Sequence, residues 1–192
     1  GHIIEDEGDI VTWDNPDDKI IRAILMDGES EYIPVVGEDS AHTDRTILQI
    51  VDEADIIIFS SGTQWSSLIP TYMHKGFREM IANASANKYL IMNNEEDHDT
   101  YGVSAEEMCD ILTSYLDMDQ ITVVLNKEAS VGMQALSERY HSICGMIGST
   151  DSSKHDPVKL VGLIMSDYYR EALSCTHQFF DLDGTLWEEN GT

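Results

Sequence analysis

The segment Asp55-Ile56-Ile57-Ile58-Phe59 is followed directly by Ser60-Ser61-Gly62, and together these residues give the strongest indication of the fold. A short continuous apolar segment of this kind is typical of a strand buried on both faces of a parallel sheet. In such sheets, ligands bind outside the carboxyl ends of the strands. The stretch therefore predicts an α/β fold and also the place where a site should lie.

Similar apolar segments recur on both sides of this stretch and alternate with helical periodicity. Further strands are predicted over Lys19–Met26, Tyr89–Met92, Ile121–Leu125, Ser142–Ile147 and Gln178–Phe180. Helices are predicted over Thr43–Ala54, Phe77–Ala86, Ser104–Tyr115, Ser130–Tyr140 and Pro157–Leu173. Alternation of this kind predicts an α/β, Rossmann-like fold with a mostly parallel sheet and helices on both faces.

Two helix starts have clear signals in the sequence. Ser104 is a good N-cap residue, and Glu107 three residues later completes a capping box. Asp156 precedes Pro157, and proline is favoured at the first position of a helix. The His155-Asp156-Pro157 segment therefore has a structural explanation as a helix N-terminus.

Charge excludes several classes of function. The 192 residues include 36 acidic and 11 basic side chains, for a formal net charge of −25. Such a surface repels nucleic-acid phosphates and anionic membranes, so neither is expected as a partner. The acidity is interpreted as a means of solubility, with an acidic interaction face as the alternative.

Cysteine usage and hydropathy indicate a cytoplasmic protein. Cys109, Cys144 and Cys175 lie far apart and are expected to be reduced, buried thiols. No apolar segment is long enough to span a bilayer. Gly1-His2 is typical of the remnant of a removed tag, so the chain is expected to begin inside a longer protein.

The loop after Phe59 could bind phosphate without a cation. Gly62 permits a close backbone approach, and hydroxyl side chains surround it, among them those of Thr63, Ser66 and Ser67. The alternative is an ordinary Ser/Gly turn that leads into a helix. The acidic loop Glu95–Asp99 likewise allows two interpretations, a site for a hard cation or a solvated surface loop.

The stretch from Ala54 to Glu79 resembles the central part of the 2-phospho-L-lactate transferase (CofD-like) family. That family includes the gluconeogenesis-factor proteins, which bind UDP-sugars. Ser60 and Ser61 stand where the family favours Gly-Pro. The matching positions are Gly62, Thr63, Trp65, Ser67, Ile69-Pro70, Gly76 and Glu79.

The resemblance extends over about Glu5–Leu173. Later matches are Lys88–Asn93, the end of the loop at Thr100–Ala105, the strand that ends at Asn126, Glu138–Tyr140 and Lys154–Leu160. The family's Gly-rich phosphate loop on its first strand has no counterpart here. A CofD-like domain is accordingly expected over residues 3–175.

The resemblance implies a phosphotransferase that acts on a nucleotide-diphosphate-activated donor, which an acceptor hydroxyl attacks while Mg²⁺ balances the charge. The alternative is a regulatory module that binds a nucleotide sugar without turnover. The expected partner is thus a small nucleotide or nucleotide sugar, and a homodimer is an option. The residues that would hold phosphate oxygens are Gly62, Thr63, Ser66 and Ser67. The base or the acceptor would lie against Trp65 and Tyr140. Further binding residues would be Asn93, Asn126, Lys154 and His155.

The segment Phe179–Trp187 resembles the first motif of haloacid-dehalogenase-type phosphatases. In that chemistry Asp181 would attack phosphorus and Asp183 would protonate the leaving group, both near Mg²⁺. The alternative is a final strand with an acidic tail. Residues 176–192 are therefore expected to form a last strand and the start of a second domain, the rest of which would lie beyond Thr192.

Overall fold

The computed structural model describes residues 47–73, 76–97, 100–116, 120–129, 136, 139–151 and 153–176, with residues 171–176 described by backbone alone. The predicted strands Lys19–Met26 and Gln178–Phe180 lie outside these residues. Most of the predicted helix Ser130–Tyr140 also lies outside them, although Arg139 and Tyr140 are described and are not helical.

Within the described residues, four parallel strands form one sheet in the order β1-β2-β3-β4. They are β1 (Ile56–Phe59), β2 (Asn87–Ile91), β3 (Thr122–Asn126) and β4 (His141–Gly145). The prediction of a parallel α/β fold is confirmed. The last strand ends two residues before the predicted Ile147, because the Ile147 N–H bonds the side chain of Asn126 instead of a neighbouring strand.

Most of the helices pack on one face of the sheet. They are α1 (Ile47–Asp52), a π-helical turn (Gln64–Leu68) that continues into α2 (Ile69–Tyr72), α3 (Phe77–Asn83) and α4 (Ala105–Leu116). Their apolar side chains share a core with the strands, and its most buried members include Ile69, Ile81, Leu90, Leu116 and Val123. Each large side chain buried in this way contributes about 1.5–3 kcal/mol.

The opposite face of the sheet is covered by α5 (Pro157–Thr176). Ile164 of this helix packs in a second core with Tyr89, Val124 and Ile143. The inner strands β2 and β3 therefore have helices on both faces, as their continuous apolar character predicts. The same expectation is wrong for β1, which lies at the edge of the described sheet and whose Ile58 is 48% exposed. None of the described helices combines the length and the apolar character needed to cross a membrane.

Both predicted helix starts are present. The Glu107 N–H donates to Ser104 Oγ at 3.2 Å, and the Ser104 N–H donates to Glu107 Oε2 at 3.3 Å. Asp156 Oδ1 accepts from the N–H groups of Val158 and Lys159 at 3.0 and 3.1 Å. These caps satisfy backbone donors that the first helical turn leaves without partners, and they fix where α4 and α5 leave the sheet.

The cysteine prediction is correct at one described position and wrong at another. Cys109 is buried in α4, and burial raises the pKa of its thiol to about 12. Cys144 is free but exposed, since it lies on β4, whose side chains are mostly exposed to solvent. The side chain of Cys175 lies outside the described residues.

Candidate functional site

The loop after β1 is clamped to the loop after β2 by one side chain. Asn93 Oδ1 accepts from the Gly62 N–H at 2.9 Å, and Asn93 Nδ2 donates to the Gly62 carbonyl at 3.1 Å. Asn93 Nδ2 also donates to Asp97. The predicted residues Gly62 and Asn93 are thus brought together, and the backbone of the phosphate-loop candidate is held in one position.

Hydroxyl groups lie close together just after this clamp. Thr63 Oγ1 and Ser67 Oγ are 2.7 Å apart, and the N–H of Ser67 donates to the Thr63 carbonyl. Two hydroxyls that share one hydrogen bond leave one O–H proton for a further acceptor. Ser66 is partly buried in the same π-helical turn.

Trp65 belongs to the core instead of the surface of this loop. Its side chain is 3% exposed and makes an edge-to-face contact with Tyr115, with ring centroids 6.3 Å apart. The neighbouring Gln64 is 2% exposed. Trp65 therefore packs the loop against α4 and is not available at the surface to contact a ligand.

A second clamp joins the loops after β2, β3 and β4. Asn126 Nδ2 donates to Asn94 Oδ1 at 3.1 Å. Asn126 Oδ1 accepts from the N–H groups of Ile147 and Glu128, at 3.2 and 3.3 Å. We refer to Asn93, Asn94 and Asn126 as the asparagine network, which links the loops that follow all four described strands.

The loop between β4 and α5 brings basic residues to the same edge. Gly148 and His155 form an isolated antiparallel bridge, and the Asp156 N–H donates to the Ile147 carbonyl at 2.7 Å. Lys159 Nζ reaches the Gly148 carbonyl at 3.2 Å. The turn is closed by Lys154, whose Nζ lies 2.9 Å from Asp151 Oδ2.

The electrostatics of this loop depend on two groups. Hydrogen bonds from Lys154 and Ser153 lower the pKa of Asp151 to about 2. Burial lowers the pKa of His155, so its ring is neutral near pH 7. Its Nε2 atom is buried and has no hydrogen-bond partner among the described residues.

Tyr140 lies at the other end of the sheet. It directly precedes His141, the first residue of β4, whereas Asn126 and the loops that it joins follow the last residues of the strands. Its hydroxyl bonds Asp110 of α4, and Arg139 stacks over its ring at 5.2 Å. The structure therefore does not bring Tyr140 to the edge that holds Gly62 and Asn93.

A metal ion would find oxygen ligands at this edge. Among the described residues, no group of three or more His, Cys, Asp or Glu could hold a metal ion by itself. Mg²⁺ is commonly bound through one or two carboxylates together with substrate phosphates. Asp97 supplies one carboxylate of that kind beside the Gly62 loop, and this carboxylate accepts a hydrogen bond from Asn93 Nδ2.

Two residues of the edge are absent from the prediction made from sequence. Asn94 is 2% exposed and bonds Asn126, although the two are 32 residues apart. A Cβ at Gly148 would lie 3.1 Å from Asn126 Nδ2 and 3.3 Å from Glu128 Oε2. Asn94 could have been found from the sequence, because it is the second of two successive asparagines that follow a buried strand. No feature of the sequence indicates the role of Gly148.

The predicted phosphatase residues Asp181 and Asp183 lie outside the described part of the chain. They also lie outside the stretch that matches a known family, since the sequence profile described as "2-phospho-L-lactate transferase CofD" matches residues 10–161. No curated protein sequence matches the chain.

The fold is similar to that of a solved bacterial protein. The crystal structure of protein BH3568 from Bacillus halodurans superposes with a TM-score of 0.63 at 18% identity, over 86% of this chain and 56% of that one. The chain thus spans little more than half of that protein. A second structure, described as a member of the UPF0052 family from the same organism, has a TM-score of 0.47 at 16% identity, over 61% of this chain and 44% of that one. Because the family profile covers well over half of its residues, the chain belongs to the 2-phospho-L-lactate transferase CofD family.

Proposed function

We propose that the carboxyl edge of the sheet binds the diphosphate of a nucleotide-activated donor and that the chain is a CofD-like phosphotransferase domain. The observation that carries this proposal is the asparagine network, which joins the loops after all four strands into one surface. This is the edge at which open parallel sheets bind their ligands. Membership of a transferase family supports the same chemistry.

The loop after β1 is suited to a diphosphate in an acidic protein. The clamp from Asn93 orients the Gly62 backbone, and the paired hydroxyls of Thr63 and Ser67 retain a proton to donate. Neutral donors of this kind bind phosphate oxygens without adding cations.

Different loops of the edge would bind the donor phosphates and orient the acceptor. We expect Thr63, Ser66 and Ser67 to hold the donor phosphates. Lys154 and Lys159 would add positive charge at the far side of the edge only where the donor phosphates replace their present carboxylate partners. A magnesium ion, when bound through Asp97 and the phosphates, would supply charge neutralisation of the diphosphate. The acceptor hydroxyl would then be placed by the loop that carries His155.

The alternative is a regulatory module that binds a nucleotide sugar without turnover. It is favoured by the pairing of two basic side chains at the edge, since Lys154 Nζ lies 2.9 Å from Asp151 Oδ2 and Lys159 Nζ lies 3.9 Å from Asp156 Oδ2. Cations already paired in this way have less charge to offer a transition state than free ones do. Binding with no detectable transfer to an acceptor hydroxyl would select this alternative.

A thermal-shift titration tests the proposal. The full chain is heated with UDP, GDP and UDP-N-acetylglucosamine, each with and without Mg²⁺. A ligand at a hundred times its dissociation constant stabilises the fold by about 2.7 kcal/mol, which raises the melting temperature measurably. A rise with one nucleotide supports the proposal, and the absence of any rise contradicts it.

Two matched variants assign the rise to the edge. Thr63→Val removes a hydroxyl from the proposed phosphate loop at nearly constant volume. Thr122→Val makes the same change at the first residue of β3, at the opposite end of the sheet. We expect the first variant to weaken the nucleotide-dependent rise and the second to leave it unchanged. Equal effects of the two variants would argue against this site.

A further inference from the structure

We propose that Asn126 is a positioning residue that couples the loop after β4 to the loop after β1 through Asn94 and Asn93. Its effect on ligand binding rests on the proposed function. Its effect on the loops rests on the described contacts alone, so the two can fail separately.

The side-chain amide of Asn126 is already hydrogen-bonded to other groups of the protein. The residue is 3% exposed, its Oδ1 accepts two backbone N–H groups, and its Nδ2 donates to Asn94. A carbonyl oxygen has two lone pairs, so Oδ1 has no further capacity for a ligand. Asn126 is thus suited to hold Ile147 and Glu128 in place, and less suited to the substrate contact that the sequence predicts for it.

The coupling passes through two neighbouring residues of the chain. Asn94 bonds Asn126 on one side of β2, and Asn93 bonds Gly62 on the other side. Because one planar peptide joins Asn93 to Asn94, a change in the backbone of one residue moves the other. A shift of the Asn126 amide at the end of β3 should therefore reach Gly62 after β1, on the far side of the one intervening strand β2.

Gly148, in the loop after β4, packs directly against the side-chain amide of Asn126. Its Cα packs so close to the Asn126 amide that a Cβ would lie 3.1 Å from Nδ2. A Cβ at Gly145 would meet Leu163 Cδ2 at the same 3.1 Å, but in the apolar contact with α5. Gly145 is the register partner of Asn126 on β4, but its Cβ would face Leu163 and not the Asn126 side chain. The two glycines therefore offer a pair of substitutions that differ in whether the new methyl group displaces the Asn126 amide.

Hydrogen exchange of the Gly62 amide in the full chain tests the coupling directly. Gly148→Ala displaces the Asn126 amide, and Asn94→Leu removes the acceptor for Asn126 Nδ2 while keeping a side chain of similar size. Both changes should accelerate exchange at Gly62 about tenfold, which corresponds to about 1.4 kcal/mol of lost protection. Gly145→Ala should leave that exchange rate unchanged.

Asn94→Asp provides the rescue, because its carboxylate keeps an acceptor for Asn126 Nδ2. Because this carboxylate is buried, its charge also costs stability, and we expect exchange at Gly62 to lie between the rates of wild type and Asn94→Leu. A purely structural role would instead make Gly145→Ala and Gly148→Ala behave alike. Unchanged exchange at Gly62 in both Gly148→Ala and Asn94→Leu would overturn the coupling.

Ligand binding gives the second readout. If the wild-type chain binds UDP or GDP, Gly148→Ala should raise the dissociation constant well beyond the change seen in Gly145→Ala. Equal dissociation constants for these two variants would overturn the role of Asn126 in binding. If the wild-type chain binds no nucleotide, the proposed function fails, and the exchange rates at Gly62 still decide whether the loops are coupled.

Discussion

The side-chain amide of Asn93 makes two hydrogen bonds to the backbone of Gly62, which lies 31 residues earlier in the sequence. The Gly62 N–H donates to Asn93 Oδ1 at 2.9 Å, and Asn93 Nδ2 donates to the Gly62 carbonyl at 3.1 Å. A side-chain amide that pairs with one residue in this way acts like a short piece of neighbouring strand. It joins the two chain segments three residues beyond the end of β1 and two residues beyond the end of β2. The conformation of the proposed phosphate loop therefore depends on a residue in a different loop.

Asn93→Asp should destabilise the protein. The carboxylate keeps an acceptor for the Gly62 N–H, but it cannot donate to the Gly62 carbonyl, and it places a negative charge beside Asp97. We expect a loss of about 1–3 kcal/mol in the free energy of unfolding, measured in urea. The control is Asn83→Asp, at an exposed position at the end of α3. It should change the free energy of unfolding by only about 0.5 kcal/mol or less.

His155 should make the fold less stable in acid. Burial lowers its pKa in the folded chain, whereas in the unfolded chain it takes up a proton near the ordinary value of 6.5. Its contribution to stability is therefore present above that value and is lost as the pH falls below it. Urea unfolding between about pH 8 and pH 5.5 should show a smaller loss for His155→Gln than for wild type. Identical pH profiles would contradict the buried, neutral ring.

Removal of the capping box should weaken α4. Ser104 Oγ and Glu107 Oε2 each accept a backbone N–H of the other residue, so Ser104→Ala leaves one N–H without its partner. The expected cost is about 1 kcal/mol in urea unfolding. Ser114→Ala, an exposed serine later in the same helix, is the control and should cost much less. A cost for Ser104→Ala no greater than that of the control would show that the cap contributes nothing.

Tyr89→Phe should destabilise the junction of the sheet with α5. The Tyr89 hydroxyl donates to Asp167 Oδ2 at 3.2 Å, and both residues are buried. Loss of a hydrogen bond to a buried carboxylate should cost about 1.5–3 kcal/mol in the free energy of unfolding. Tyr169→Phe removes a hydroxyl from an exposed position on the same helix and should be nearly neutral. If both substitutions prove neutral, the bond to Asp167 carries no stability.

Local signals in the sequence were enough to predict most of the fold. The apolar segment at Ile56–Phe59 is a central determinant of a parallel sheet, and the caps at Ser104 and Asp156 begin helices where predicted. The end of α3 was harder to place. Ala84 adopts an extended conformation with φ −67° and ψ 130°, so the helix ends at Asn83, three residues before the predicted end. Alanine carries no local signal for such a stop.

The site was predicted in part. Gly62, Thr63, Ser67, Asn93 and Asn126 do lie at the carboxyl edge, because strand ends in a parallel sheet converge there. The pairing of Asn94 with Asn126 was not predictable, since it depends on the register of β2 and β3 and not on any local pattern. The buried position of Trp65 likewise results from tertiary packing against Tyr115.

Binding at the carboxyl edge is tested most directly by mapping amide chemical-shift changes in the full chain on addition of UDP or GDP with Mg²⁺. We expect saturable changes confined to this edge, at Gly62–Ser67, Asn93–Asp97, Asn126–Glu128 and Ile147–His155. Changes centred on the opposite edge, near Thr122 and Tyr140, would contradict it. The absence of any saturable change would contradict it equally.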